Sequence, residues 1–322
     1  MNLSKELFAA SDIAVSQCMN LKQSESVLII TDEFSRTIAY ALYESSKKIT
    51  EKILLVEIPQ MKTNGEEPPK EVSELMLKYD VIFCPTSKSL THTDARRNAS
   101  QNGSRVATLP GVTEEIMIRC MNADYNRIYE RTFKLCKLME QTSSIRVTSK
   151  LGTDITMPIY GRKSFASSGI FHNKGESGNL PTGEAYLAPL ENISNGKIVV
   201  DGSIAQIGLI KSPITIKVEN GFATEIIGDE EAKKFISLIE PFGLPAKNVA
   251  EFGIGTNDKA IITGKIIEDE KSMGTIHIAF GDNKSMGGSV RVASHLDVLV
   301  KNPTVYFDKN IIMENGNFLI EL

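Results

Sequence analysis

Val27-Leu28-Ile29-Ile30 runs into Thr31-Asp32-Glu33, and behind it come an amphipathic stretch from about Arg36 to Lys48 and a second β-branched run, Ile53–Ile58. This strand, helix, strand order decides the fold of the first half, because alternation of short apolar runs with helical patterns implies a parallel sheet with both faces covered. Working outward, Asp80–Pro85 reads as a third strand and Arg105–Leu109, running into Pro110-Gly111, as a fourth. Thr91-His92-Thr93-Asp94 has the spacing of a helix start, with Thr91 as cap and Asp94 reaching back, and Gly103 ends that helix. Helices from about Glu114 and from about Asn122 to Glu140 close this half.

The texture changes near residue 142. Ser144–Ile159, Gly196–Ile210 and Ile214–Ile227 are β-rich and punctuated by glycine, and only Glu230–Ile239 has a clear helical pattern. Asn220-Gly221 and Asn315-Gly316 are two-residue hairpin signals, since both turn positions need positive φ. The expectation is an α/β domain over residues 1–142 with a mostly parallel sheet, then a β-rich α+β metal-binding domain over 143–322, joined by the polar stretch Gln141–Ser144.

A chain of 322 residues with 41% hydrophobic and 24% charged residues has the composition of an ordinary two-domain globular protein. Lys plus Arg is 36 against 40 Asp plus Glu, a net charge of −4, which removes the electrostatic footprint of a nucleic-acid binder. No apolar stretch approaches the roughly 20 residues of a membrane span, and the first residues lack a secretory pattern. The cysteines Cys18, Cys84, Cys120 and Cys136 form no Cys-x-x-Cys pair, so neither a disulfide framework nor a cysteine zinc site is encoded. The cytoplasm is the compartment this implies.

The chemistry concentrates in the second half. In His295-Leu296-Asp297 a separation of two along a strand puts imidazole and carboxylate on one face, where they can share a metal, and His277 in His277-Ile278-Ala279-Phe280-Gly281 can converge on the same ion. Alone, the His-x-Asp spacing is weak evidence and fits a surface or hydrogen-bonded histidine better than a metal ligand. Two further segments strengthen the metal reading: the loop Gly178–Pro189, whose single acid is Glu184, and Ala250–Asn257, which presents Glu251 beside Gly253 and Gly255. Gly253-Ile254-Gly255 is no dinucleotide fingerprint, and no phosphate-binding loop, nucleophile elbow or His-Glu-x-x-His helix is present. His172 reads as solvated, and Cys84 as buried packing.

Taken in order, Asn179–Glu184 with Ala188-Pro189, Glu251–Asn257, His277–Gly281 and His295–Asp297 resemble the thermophilic metallo-aminopeptidases of the aminopeptidase T and S type, and Thr91–Arg96 with Leu109-Pro110-Gly111 extends the likeness into the first half. The resemblance implies two divalent metals, zinc, cobalt or manganese, held by Glu184, Glu251, His277, His295 and Asp297, and the removal of amino-terminal residues from small peptides. Glu251 would bridge the ions, and Glu184 would be ligand or base. It also implies a homodimer. The chain departs from that pattern at Ser272, where an acid five residues before His277 is expected, so that Glu270 fits only if the loop has gained two residues. The expected tyrosine falls at Lys284, whose ammonium would then polarise the carbonyl. These departures are shared with a branch of the same fold, the iron-dependent dihydroxypyridine ring-opening dioxygenases. The leading expectation is therefore a metallo-aminopeptidase, and the alternative a mononuclear Fe(II) ring-opening dioxygenase built on His277, His295 and Asp297.

Overall fold

A computed structural model describes residues 3–322. The described residues form two compact units, one of residues 3–127 and 169–182, the other of residues 128–168 and 183–322.

The first unit is a five-stranded parallel sheet in the order Ile53–Glu57, Val27–Thr31, Val81–Cys84, Arg105–Thr108, Ser177–Asn179. Every residue of Val27–Thr31, Val81–Cys84 and Arg105–Thr108 is buried, which is why Val27–Ile30 and Val81–Cys84 read as continuous apolar runs rather than alternating ones. Helices Lys5–Asp12, Arg36–Lys47, Lys70–Met76, Asp94–Gln101 and Glu114–Met121 accompany them. The helix after Thr91 starts two residues later than expected. The Thr91 hydroxyl is engaged by Ser89, Thr108 and Asn179, and Thr93 instead accepts from the Arg96 amide. Glu67, distant in sequence, takes the Asp94 and Ala95 amides at the exposed helix end.

The second unit contains two antiparallel sheets. One has eight strands in the order Phe222–Ile227, Ile214–Glu219, Asn195–Val200, Asp154–Pro158, Ser144–Thr148, Thr304–Phe307, Asn310–Glu314, Asn317–Phe318. Its strands alternate buried with accessible positions, as in Ile214–Glu219. Both expected hairpin turns form, with Asn220 and Gly221 at φ of 49° and 78° and Asn315 and Gly316 at 47° and 79°. The other sheet has seven strands in the order Gly208–Leu209, Ser203–Ile204, His295–Lys301, Thr275–Gly281, Val249–Gly255, Glu184–Leu187, Phe165–Ser167. One core joins the sheets and helix Glu230–Ile239, whose Phe235 ring meets Phe280 edge-on at 5.9 Å between centroids.

The structure thus contains the expected α/β and β-rich parts but divides them elsewhere than at residue 142. Helix Tyr125–Glu140 crosses the division, and its Leu135, Cys136 and Met139 belong to the core of the second unit. Ser177–Asn179, read above as part of a loop, returns to the first unit as its fifth parallel strand. The change near 142 marks where the type of secondary structure changes, whereas packing ties the preceding helix to the strands after it. Among the described residues, no helix is long and apolar enough to cross a membrane.

Phe252 is fully buried in the core beneath the seven-stranded sheet. Phe252→Ala should cost on the order of 3–5 kcal/mol through lost burial and an unfilled cavity. A shift of that size in the denaturant midpoint at unchanged slope is the expected reading.

Candidate metal centre

The centre is built by strand alternation. On the seven-stranded sheet, Ala185, Leu187, Phe252, Ile254, Ile276, Ile278, Phe280, Leu296 and Val298 enter the core. The alternate positions of the same four strands are Glu184, Glu251, His277, His295 and Asp297, so all five residues expected from the sequence share the opposite face. Glu184 and Glu251 therefore lie in strands, not in the loops the glycine-rich sequence suggested.

Register brings the polar groups together. Glu251 and Asp297 both stand opposite Ala279, one on each side of the strand Thr275–Gly281. His277 stands opposite Gly253, and His295 opposite Gly281. Small residues thus occupy the positions between the large ligand-type side chains. The need is sharpest at Gly253, where a Cβ would lie 2.1 Å from His277 Nε2. The glycine is required by the imidazole that crosses over it, not by a turn.

Two groups of three result, in each of which one ligand-type atom per residue lies within 4.8 Å of the others: Glu251, His295 and Asp297, and Glu184, Glu270 and His277. Glu251 links them, its Oε1 3.2 Å from His277 Nε2 and its Oε2 3.2 Å from His295 Nε2. His277 Nε2 is also 3.6 Å from Glu184 Oε2, and His295 Nε2 is 3.7 Å from Asp297 Oδ1. His277, expected beside His295 and Asp297, thus sits with Glu184 and Glu270.

Glu270 joins the cluster as the loop gain of two residues requires, while the Ser272 hydroxyl donates to the Ala260 carbonyl instead. Lys284 is exposed in the turn Lys284–Met286, its amide donating to Asp282 Oδ1. The lysine among the carboxylates is Lys271. Its Nζ donates to Glu184 Oε1 at 2.6 Å and Glu270 Oε1 at 2.5 Å, and its side chain is only 3% exposed. A run of Glu268-Asp269-Glu270-Lys271 reads in sequence as a solvated charged face, so nothing in it marks a buried ammonium. Tyr186, on the same strand face as Glu184 and opposite Gly253, was also missed.

Burial would raise the Glu251 carboxyl, but hydrogen bonds from His277 and His295 hold it well below the usual carboxylate range. Burial would likewise favour neutral imidazole at His277, yet Glu251 and Glu184 push it up to about 9. At Glu184 burial wins over the attraction of Lys271 and raises the carboxyl to about 7. Burial raises Asp297 to about 6 against the pull of His295.

The donors suit a divalent metal. His295 Nδ1 lies 2.8 Å from the Asp282 carbonyl, which can only accept. Nδ1 therefore carries the hydrogen, and a neutral His295 presents the lone pair of Nε2 to the side where Glu251 and Asp297 lie, the orienting arrangement of metal-bound histidines. One imidazole and two carboxylates suit iron, manganese or zinc. His295 is 33% exposed, which leaves the group an open side. His277 Nδ1 is buried and has no hydrogen-bond partner among the described residues.

A sequence profile of the 2,5-dihydroxypyridine 5,6-dioxygenase family matches residues 7–320. A protein of Pseudomonas putida described as 2,5-dihydroxypyridine 5,6-dioxygenase is 21% identical, the alignment covering 94% of this chain and 93% of that one. The solved 2,5-dihydroxypyridine dioxygenase of Pseudomonas putida KT2440 superposes with a TM-score of 0.84 at 19% identity, covering 98% of this chain and 97% of its own. AmpT of Thermus thermophilus superposes with a TM-score of 0.74 at 14% identity, over 98% and 99% of the two chains. The chain has the two-domain fold that these solved structures share. By the profile match, the chain belongs to the 2,5-dihydroxypyridine 5,6-dioxygenase family. The expectation of an aminopeptidase, a hydrolase, is thereby corrected: that likeness is one of fold alone, and a fold does not carry a reaction.

Gly253→Ala should displace the His277 ring and with it the Glu251 carboxylate. A folded variant with an unchanged cooperative melt but at least tenfold weaker metal binding in equilibrium dialysis is the expected outcome. Unchanged affinity would show that the close approach is dispensable.

Proposed function

We propose that the protein is a metal-dependent ring-opening dioxygenase acting on a dihydroxylated nitrogen heteroaromatic of the dihydroxypyridine type, with iron held by Glu251, His295 and Asp297. The observation that carries the reading is the convergence of these three donors in a chain that matches this family over residues 7–320. Iron, when bound, supplies the electron-transfer chemistry with oxygen that side chains lack.

The protein's own contribution is positioning and proton handling. Asp282 fixes the rotation of the His295 ring through its carbonyl, and His277 holds one oxygen of Glu251 so that the other faces His295. Glu184, raised to about 7 by burial, is poised to take the proton of a ring hydroxyl at Oε2, since Oε1 is occupied by Lys271. Burial and the carboxylates Glu251 and Glu184 keep the Tyr186 phenol protonated, hence a donor on the same face.

Protein loaded anaerobically with Fe(II) and mixed with 2,5-dihydroxypyridine should consume one O₂ per ring lost, followed by an oxygen electrode and by the fading of the ring absorbance. No uptake with any of a panel of dihydroxylated pyridines would overturn the reading. His295→Ala should abolish both bound iron and uptake. Glu184→Gln should keep the iron and lower kcat by about 100-fold, the usual scale of a lost general base, and near-normal turnover in that variant would remove the proton role.

A further inference from the structure

The group Glu184, Glu270 and His277 has the ligand types of a second metal site, and the resemblance to two-metal enzymes predicts one there. The structure shows something else in that position. Lys271 Nζ lies 2.6 Å from Glu184 Oε1 and 2.5 Å from Glu270 Oε1, in hydrogen-bond contact with both carboxylates. A metal bound by the same oxygens would need distances of about 2.0–2.2 Å, which would press a divalent charge against the ammonium. We propose that the Lys271 ammonium takes the place of a second cation, so that the centre holds a single divalent ion at Glu251, His295 and Asp297.

The placement of Lys271 is built into the fold. Its amide donates to the Glu268 carbonyl, and its carbonyl accepts from the Asn257 amide, which pins the backbone on both sides. The buried carboxylates of Glu268 and Asp269 clamp the turn itself: Glu268 accepts from the Ile261 amide, and Asp269 from the amides of Thr263 and Gly264. This turn closes onto the strand Val249–Gly255 at Gly255, where a Cβ would lie 2.2 Å from the Ser272 carbonyl oxygen. The lysine is thus delivered to the carboxylates by a rigid segment, and with its side chain 3% exposed it has no route to solvent short of opening that turn. A permanent ammonium also does part of what the metal would do for folding: it donates to both carboxylates and offsets one of their charges, which lets them lie side by side in the interior.

The inference rests on the metal-binding half of the proposed function and not on ring opening. Its test is Mn²⁺ binding to the full chain, read as stoichiometry by equilibrium dialysis and as the spin resonance spectrum of the bound ion. Wild-type protein should bind one equivalent and give the six-line spectrum of an isolated ion. Lys271→Met, which keeps length and removes charge, should bind two equivalents with the spectrum of a spin-coupled pair. Two tightly bound, coupled ions in wild type would overturn the proposal, as would one equivalent in a folded Lys271→Met. No bound ion in wild type would overturn the metal reading beneath it, so the two failures are distinguishable. If Lys271→Met does not fold in metal-free buffer, refolding in excess Mn²⁺ decides. Recovery of a cooperative melt with two bound equivalents supports the proposal, and failure to recover at any Mn²⁺ concentration counts against it.

Discussion

The rest of the centre depends on the Glu251 carboxylate, held between two imidazoles. Its two oxygens lie 3.2 Å from His277 and 3.2 Å from His295, one on each, and this pair of contacts lets a carboxylate remain charged in the interior. Each neighbour is then constrained in turn. His277 must cross Gly253, His295 must keep its other nitrogen on the Asp282 carbonyl, and Asp297 must approach from the far side of Ala279. Around Glu251 stand Glu184, Glu270 and Asp297, four carboxylates in all. Facing them are Lys271 and two imidazoles, so acidic groups outnumber basic ones around Glu251.

The same strands supply stability and chemistry by splitting their positions between two faces. Phe252, Ile276, Ile278, Phe280 and Val298 give the core a continuous apolar surface, and the polar side chains occupy the alternate positions, where small residues leave them space. This explains why all residues of Val249–Gly255 and Thr275–Gly281 are buried although the strands carry ionisable groups. A polar group on such a face must find a partner within the sheet or in the turn packed against it, and the Glu268–Lys271 segment is that partner for Glu184.

Much of this was legible in the sequence. Val27–Ile30 and its successors announced a parallel sheet because strands buried on both faces are apolar throughout, and Asn-Gly pairs announced hairpins because few other dipeptides tolerate two positive φ values. His295 and Asp297 were legible as a pair because the two-residue period of a strand is visible in His295-Leu296-Asp297, whereas the set of five came from the ordered resemblance. The division of the chain was not, because helix Tyr125–Glu140 follows the first unit in sequence but packs its Leu135 and Met139 in the second. Glycines near Glu184 and Glu251 suggested loops, since a glycine needed for close approach within a sheet and one needed for a turn are written with the same letter. Lys271 left no trace at all: its role is set by a turn that folds back on the sheet, and no local pattern distinguishes it from a solvated lysine.

The choice between hydrolase and dioxygenase lay beyond the ligand residues themselves. Imidazole and carboxylate serve both chemistries, and the two relatives whose structures superpose share one fold. What the structure adds is how this chain partitions its own donors. With Lys271 on Glu184 and Glu270, and with His277 on Oε1 of Glu251, the only oxygen of Glu251 directed toward His295 is Oε2. Glu251 then offers an ion one oxygen rather than a bridge between two. A carboxylate with one oxygen held by His277 would give a bound ion only its other oxygen, an arrangement suited to one cation on the side of His295 and Asp297.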